Sequence, residues 1–208
     1  MMNLNKTDNY SQRMAWVMIE GWKTVVGAKQ LEKVAFQARK ITVEMGKPSS
    51  PLVGTTTAEI VAGQHILEGL FGPRGAIGIA RRAGMAAFRP FLHAYAREAG
   101  FEELEFRLMP PRRKMLTGLR AMAGLLTREG FPPIHIRETE RGIIWSMRLN
   151  QDDLKDNNRQ SLCQFFIGLL QEYLGWISGG KFFVLDELTP VNGNEMVCAI
   201  RIDPRPLD

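Results

Sequence analysis

Through the first two-thirds of the chain, apolar residues recur every three or four positions, the spacing of helices buried along one face. Val17, Met18, Trp22, Val25 and Val26 mark one such segment over 14–26, and Leu31, Val34, Ala35 and Ala38 another over 30–40. Gly27 lies between them, so two short helices and one bent helix both satisfy the pattern. Residues 47–54, Lys-Pro-Ser-Ser-Pro-Leu-Val-Gly, form a loop by composition. They divide an N-terminal helical extension (residues 1–50) from a main domain (residues 51–208). Thr56, Thr57, Ala58 and Glu59 spell a capping box, opening a helix that Gly72-Pro73 stops near Phe71.

Over 76–89 small residues repeat at Gly78, Ala80, Ala83, Gly84 and Ala87, a surface that another backbone can approach closely. Pro90 ends or kinks this helix, and a helical segment continues to Gly100. Residues 104–108 read as extended. A helix over 112–128 carries Met115, Leu116, Leu119, Met122, Leu125 and Leu126, with Gly130 as its C-cap.

The period changes after Ile134. Residues 134–149 alternate apolar and polar about Glu140-Arg141-Gly142, a β-hairpin signal. The polar stretch 151–159 suits the N-terminal cap of a helix beginning at Cys163. That helix spans 163–180, followed by a strand over 181–189, a turn at 190–195 and a strand over 196–202. Strands grouped in hairpins and flanked by helices predict an α+β fold, with an antiparallel sheet of two hairpins packed against several helices.

Composition narrows the classes. With 208 residues and 45% hydrophobic content the chain can bury a substantial core. Lys+Arg 27 against Asp+Glu 22 leaves +5, too mild an excess to indicate nucleic-acid binding alone. Two cysteines make no disulfide framework, which points to a reducing, cytoplasmic setting. The polar N-terminus lacks a signal-peptide apolar region, and no stretch reaches the length of a membrane span. His65, His93 and His135 are scattered, without ligand spacing. Gly72-Pro73-Arg74-Gly75 is not a phosphate loop, because no Lys-Ser/Thr follows. Arg112, Arg113 and Lys114, near Arg107, read as a solvated helix end, and Arg81 and Arg82 as surface or interface charges.

Candidate chemistry concentrates in the ending, where both cysteines, Cys163 and Cys198, bracket Glu187. Two thiolates and a carboxylate, completed by water, can form a zinc site. The competing reading is two buried cysteines acting as small hydrophobes with Glu187 in an ion pair; a Cys163–Cys198 disulfide is the less favoured pairing in a reducing compartment.

The same ending, Cys163, a helix containing Gly168, a strand closing on Glu187 and a strand carrying Cys198, resembles the 4-vinyl reductase (hydrocarbon-binding) domain family. The Ile-Ala-Arg-Arg-Ala-Gly run ending at Gly84 is similar to that family's Arg-Ala-Gly helix. The resemblance implies a ligand-binding fold shared with TRAPP-type tethering subunits and distantly with haem nitric-oxide sensors, and a homodimer. It implies zinc ligands at Cys163, Glu187 and Cys198, with Pro190 at the fourth position, where it cannot coordinate. It also implies a cavity for a hydrophobic small molecule lined by Met109, Met115, Leu119, Met122, Trp145, Met147, Phe165, Phe166, Leu169 and Trp176. The expectation is non-enzymatic binding or sensing, with the signal passed through the dimer or a partner. The alternative is a scaffold protein whose interior its own side chains fill. With no nicotinamide or flavin motif and no acid–base pair in the sequence, an enzyme is not expected. No cofactor is expected either, zinc being the single candidate. The apolar faces of the N-terminal helices are expected to bury on a second subunit.

Overall fold

A computed structural model describes residues 11–44, 57–148, 156–188 and 197–207. The helices are α1 (Gln12–Val26), α2 (Ala28–Glu44), α3 (Thr57–Tyr95), α4 (Leu104–Leu108), α5 (Pro111–Arg128) and α6 (Asp156–Ser178). The strands are β1 (Ile134–Thr139), β2 (Gly142–Arg148), β3 (Phe183–Glu187) and β4 (Val197–Pro206). The expected loop at 47–54, the capping box at Thr56, the turn at 190–195 and Pro190 lie outside the described residues.

The α+β class and the antiparallel hairpins are observed. The strands pair in the order β1-β2-β4-β3, so the two hairpins join through β2 and β4. The register sets Trp145 opposite Ile136 on β1 and Ile200 on β4, and Met147 opposite Cys198. Alternation then turns Ile143, Trp145, Met147, Cys198, Ile200 and Ile202 inward, all buried.

α6 is the central element. It packs along α3 on one side and against β3 and β4 on another. From Leu162 to Tyr173 almost every residue is buried, which explains the weak one-face periodicity of this helix in the sequence. Its approach to α3 is backbone to backbone. A Cβ on Gly84 would stand 1.8 Å from the Phe165 carbonyl oxygen, and one on Gly168 2.0 Å from the Arg81 carbonyl oxygen. The small-residue surface read from the sequence is therefore used on both faces of α3. A Cβ on Gly21 of α1 would stand 2.5 Å from the Ala83 carbonyl oxygen and 2.7 Å from the Ala87 Cβ.

Gly27 (φ 82°) separates α1 and α2, and Gly72 (φ 71°) interrupts α3 where the sequence placed a stop. Pro90 lies within α3, which continues to Tyr95. Gly130 (φ 111°) closes α5, with the Phe131 N–H donating to the Leu126 carbonyl as in a Schellman ending. Two expectations are corrected. Residues 104–108 are helical, since Phe106 folds inward onto Phe101 while Leu104 and Leu108 stay exposed. α6 begins at Asp156, well before Cys163, so part of the polar stretch joins the helix.

Met14, Ala15, Val17, Met18 and Trp22 of α1 are buried, all but Ala15 in one hydrophobic cluster that extends to Ile202. The apolar face assigned from sequence to a second subunit is thus covered by α3 of the same chain. A polar cluster pins the helix ends. Ser11 and Tyr95 both donate to Glu129 Oε2, Tyr95 at 2.6 Å, and Ser11 also caps α1 by accepting from the Met14 N–H. Arg13 lies 4.1 Å over the Tyr95 ring and reaches Glu98 at 3.0 Å.

Gly84→Ala and Gly168→Ala should each destabilise by about 3 kcal/mol, the upper end of overpacking costs, because the obstructing atoms are backbone. Gly78→Ala, with nothing within 4 Å, should instead stabilise by up to about 1 kcal/mol through helix propensity. Urea denaturation of the three variants checks this, and equal effects at all three positions would contradict the crossing geometry.

Candidate functional site

The interior enclosed by α5, α6 and the sheet carries most of the apolar residues singled out from sequence. Met115, Leu119 and Met122 lie one turn apart on α5 and are 4%, 0% and 0% exposed. Trp145 and Met147 are fully buried on β2, and Phe166 of α6 meets Trp145 with ring centroids 4.9 Å apart. Phe131 closes against Phe166 edge-on at 5.3 Å. Methionines suit such a space because their unbranched chains repack at small cost.

The structure does not bring all ten residues together. Phe165 stacks on Trp22 of α1 at 6.3 Å, and its carbonyl abuts Gly84, so it belongs to the helix–helix side of α6. Trp176 is 44% exposed and joins an outer aromatic group with Phe88, Phe101 and Phe106. Met109 is half-buried at the end of α4. Leu169 is buried one turn beyond Phe165. Spacing alone did not separate these sides, because a helix buried all round shows no polar face to orient it.

One atom stands out within the interior. The indole N–H of Trp145 is buried and has no hydrogen-bond partner. Such an orphaned donor costs about 1–3 kcal/mol, and buried Trp N–H groups are usually satisfied. Tyr173 differs. Its hydroxyl bonds the carbonyls of Lys114 (2.9 Å) and Met115 (3.2 Å), tying α6 to the start of α5, and burial pushes its phenol well above the ordinary range. Gly118 leaves the room this ring needs: a Cβ there would stand 1.8 Å from the Tyr173 oxygen.

A cleft of about 740 Å³ opens at one end of the sheet. Met115, Ile143 and Phe183 line it beside the charged Arg112, Arg141, Lys181 and Arg205. Of these only Met115 was on the sequence-derived list of ten. Ile143 alternates with Trp145 and Met147 and could have been included on that ground. The four cations come from four separate places, the start of α5, the β1–β2 turn, the segment ahead of β3 and the end of β4, and no local pattern gathers them.

The zinc expectation is corrected. Cys163 and Cys198 are joined as a disulfide, their Cα atoms 5.4 Å apart, within the usual range. Neither sulfur is then a free thiolate. Glu187 is on the inward side of β3, opposite Ile200, and accepts a hydrogen bond from Gln164 at 3.0 Å. Among the described residues no group of three His, Cys, Asp or Glu side chains could hold a metal ion. The pairing disfavoured from composition is the one observed, because the register places β4 directly beneath the first buried turn of α6.

A bundle of helices roofed by an open four-stranded antiparallel sheet is therefore the fold on which any function rests. No family model and no curated protein matches the chain. Solved structures do. A double variant of the Tt H-NOX matches with TM-score 0.55 and 11% identity over 94% of this chain and 96% of that one. An H-NOX protein from K. algicida in the Fe(II) unliganded state matches with TM-score 0.55 and 11% identity over 91% and 96%. A structure reported under the words "Modulating Heme Redox Potential Through Protein-Induced Porphyrin Distortion" matches with TM-score 0.55 and 13% identity over 94% and 95%. The chain thus has the H-NOX fold, and the assignment to the 4-vinyl reductase family and to tethering subunits is withdrawn. The motif behind that assignment, a helix bearing a cysteine laid over a hairpin bearing another, is accounted for here by one disulfide.

The expectation of no cofactor is overturned at the level of the fold, since these neighbours are described with haem or Fe(II). This chain's own residues fit haem poorly. Haem iron is held by a His, a Cys thiolate or a Tyr, with Met serving only as a partner to His. His65, His93 and His135 are all exposed, His93 near Trp16 and His65 beside Glu68. The cysteines are paired, the Tyr95 and Tyr173 hydroxyls are bonded to other groups, and side chains fill the interior. Among the described residues, then, the donor set for haem does not assemble. No helix there is long and apolar enough to cross a membrane.

Two outcomes follow. The disulfide closes a separation of 35 residues, so chain-entropy arguments give it about 3–4 kcal/mol. Dithiol reduction should lower unfolding stability by that amount, and thiol titration of the unfolded, unreduced chain should find no free cysteine. Tyr95 is pushed up from 10 to about 12 by burial and by its bond to Glu129. Its folded pKa is raised, so its stabilisation is complete below pH 10 and is lost as pH climbs towards 12. Denaturation midpoints should fall across that window, and less so in Tyr95→Phe.

Proposed function

We propose that this chain is a non-enzymatic domain that binds a hydrophobic small molecule between α5, α6 and the sheet, passing the event to a partner surface or a second copy. The observation that carries the reading is Trp145. It is fully buried against Phe166, with Met147 the next inward residue of its strand, and its N–H lacks an acceptor. A ligand oxygen seated against it would satisfy the one polar demand of an otherwise apolar space, the usual composition of a small-molecule site. The methionine-rich lining of the interior supports the reading, since flexible thioether side chains can repack around a ligand.

A test uses 2-acetylnaphthalene and 2-ethylnaphthalene, equal in size and differing by one acceptor. The ketone should bind about fivefold more tightly, the size of one net hydrogen bond. Trp145→Phe should erase the difference while sparing the ethyl compound. Calorimetry reads both, and equal affinities in the unaltered protein would remove Trp145 from the site.

A second reading, an interaction module with a self-filled interior, is favoured by the complete burial of Leu119, Met122, Met147 and Phe166. On that reading neither naphthalene raises the melting temperature.

A further inference from the structure

We propose that the cleft at the end of the sheet is the mouth of this site, and that it selects an amphipathic acid: an apolar body carrying a carboxylate head. The inference rests on the reading above and adds a ligand class to it. The volume, about 740 Å³, lies within the range of small-molecule sites. Its lining is divided in character. Met115, Ile143 and Phe183, 4%, 3% and 7% exposed, form an apolar floor.

That floor is continuous with the interior. Leu119 follows Met115 one turn along α5, and Trp145 follows Ile143 as the next inward residue of β2. The rim carries four cations, Arg112, Arg141, Lys181 and Arg205, against three carboxylates, Glu138, Glu140 and Asp203. Arg112 is engaged by Glu138 at 3.5 Å and Arg205 by Asp203 at 3.1 Å. Arg141, in the β1–β2 turn, and Lys181, ahead of β3, have no ion-pair partner among the described residues. Glu140, next to Arg141 in the same turn, offsets one of these two charges, so the rim keeps one net positive charge beside an apolar floor, a place for one anionic group whose remaining atoms prefer to leave water. A carboxylate held there directs its chain past the Met115 thioether, which can swing without breaking a hydrogen bond.

Dodecanoate and dodecanol, titrated below their aggregation concentrations, separate head from tail. Dodecanoate should bind about fivefold more tightly at low salt, as expected for two exposed ion pairs, and the margin should shrink at high salt. The double variant Arg141→Glu, Lys181→Glu alters two exposed side chains and should abolish the preference while leaving dodecanol binding intact. With [methyl-13C]methionine, the Met115 resonance should move with both compounds, placing the tail on the cleft floor. Equal binding of the two compounds, or a preference that survives the double variant, overturns the acid selectivity and leaves the hydrophobic-ligand reading standing. Binding that never moves Met115 overturns the cleft as the mouth. Absence of binding by either compound, together with inert naphthalenes, overturns both proposals.

Discussion

The structure depends on the crossing of α3 and α6 at Gly84 and Gly168, where each helix presents a bare backbone to the other's carbonyls. No side chain can be inserted at either point, so the separation of the two helices is set by the chain itself. Everything beyond follows from where that places α6. Phe166 and Cys163 are held against the sheet, Tyr173 reaches the carbonyls that begin α5, and Phe165 is left to stack on Trp22. The opposite face of α3 repeats the device with Gly21 of α1. Three helices are thereby drawn together around one run of small residues.

Much of the fold was legible because alternation and helical periodicity act locally. The hairpin about Gly142, the cap at Gly130 and the small-residue surface of α3 all follow from neighbours in sequence. What misled did so for a physical reason. Residues 104–108 lack a helical stripe because a five-residue helix needs to bury only Phe106. α6 showed no polar face because the protein surrounds it, so spacing could not tell Phe166, on the sheet, from Phe165, on the helices. The two cysteines looked like metal ligands because a list of residue types carries no distances. The register of β2 against β4 decides that they meet each other.

The neighbours in structure space have the same architecture at 11–13% identity, a level at which backbone arrangement persists after side-chain chemistry has diverged. The contents of this chain's interior illustrate the point. Methionines and aromatic rings occupy it, its histidines lie outside, and its strongest polar anchors, Tyr95 with Glu129 and Tyr173 with the start of α5, serve to fix helix ends. A fold of this kind brings bundle and sheet face to face, and the residues between them set the chemistry of the interior.

The strand order carries a consequence for how the molecule assembles. β4 comes after the other three in sequence, yet it lies between β2 and β3. Until it is made, β2 has only β1 beside it and β3 has no partner at all. The helices can meet through contacts already available, whereas the sheet is completed by insertion of a strand into its middle. Long-range pairing of this sort is slow to form, and an open strand edge is a template for pairing with other chains. Closing the sheet therefore waits on β4, and β2 and β3 gain their shared neighbour in one step.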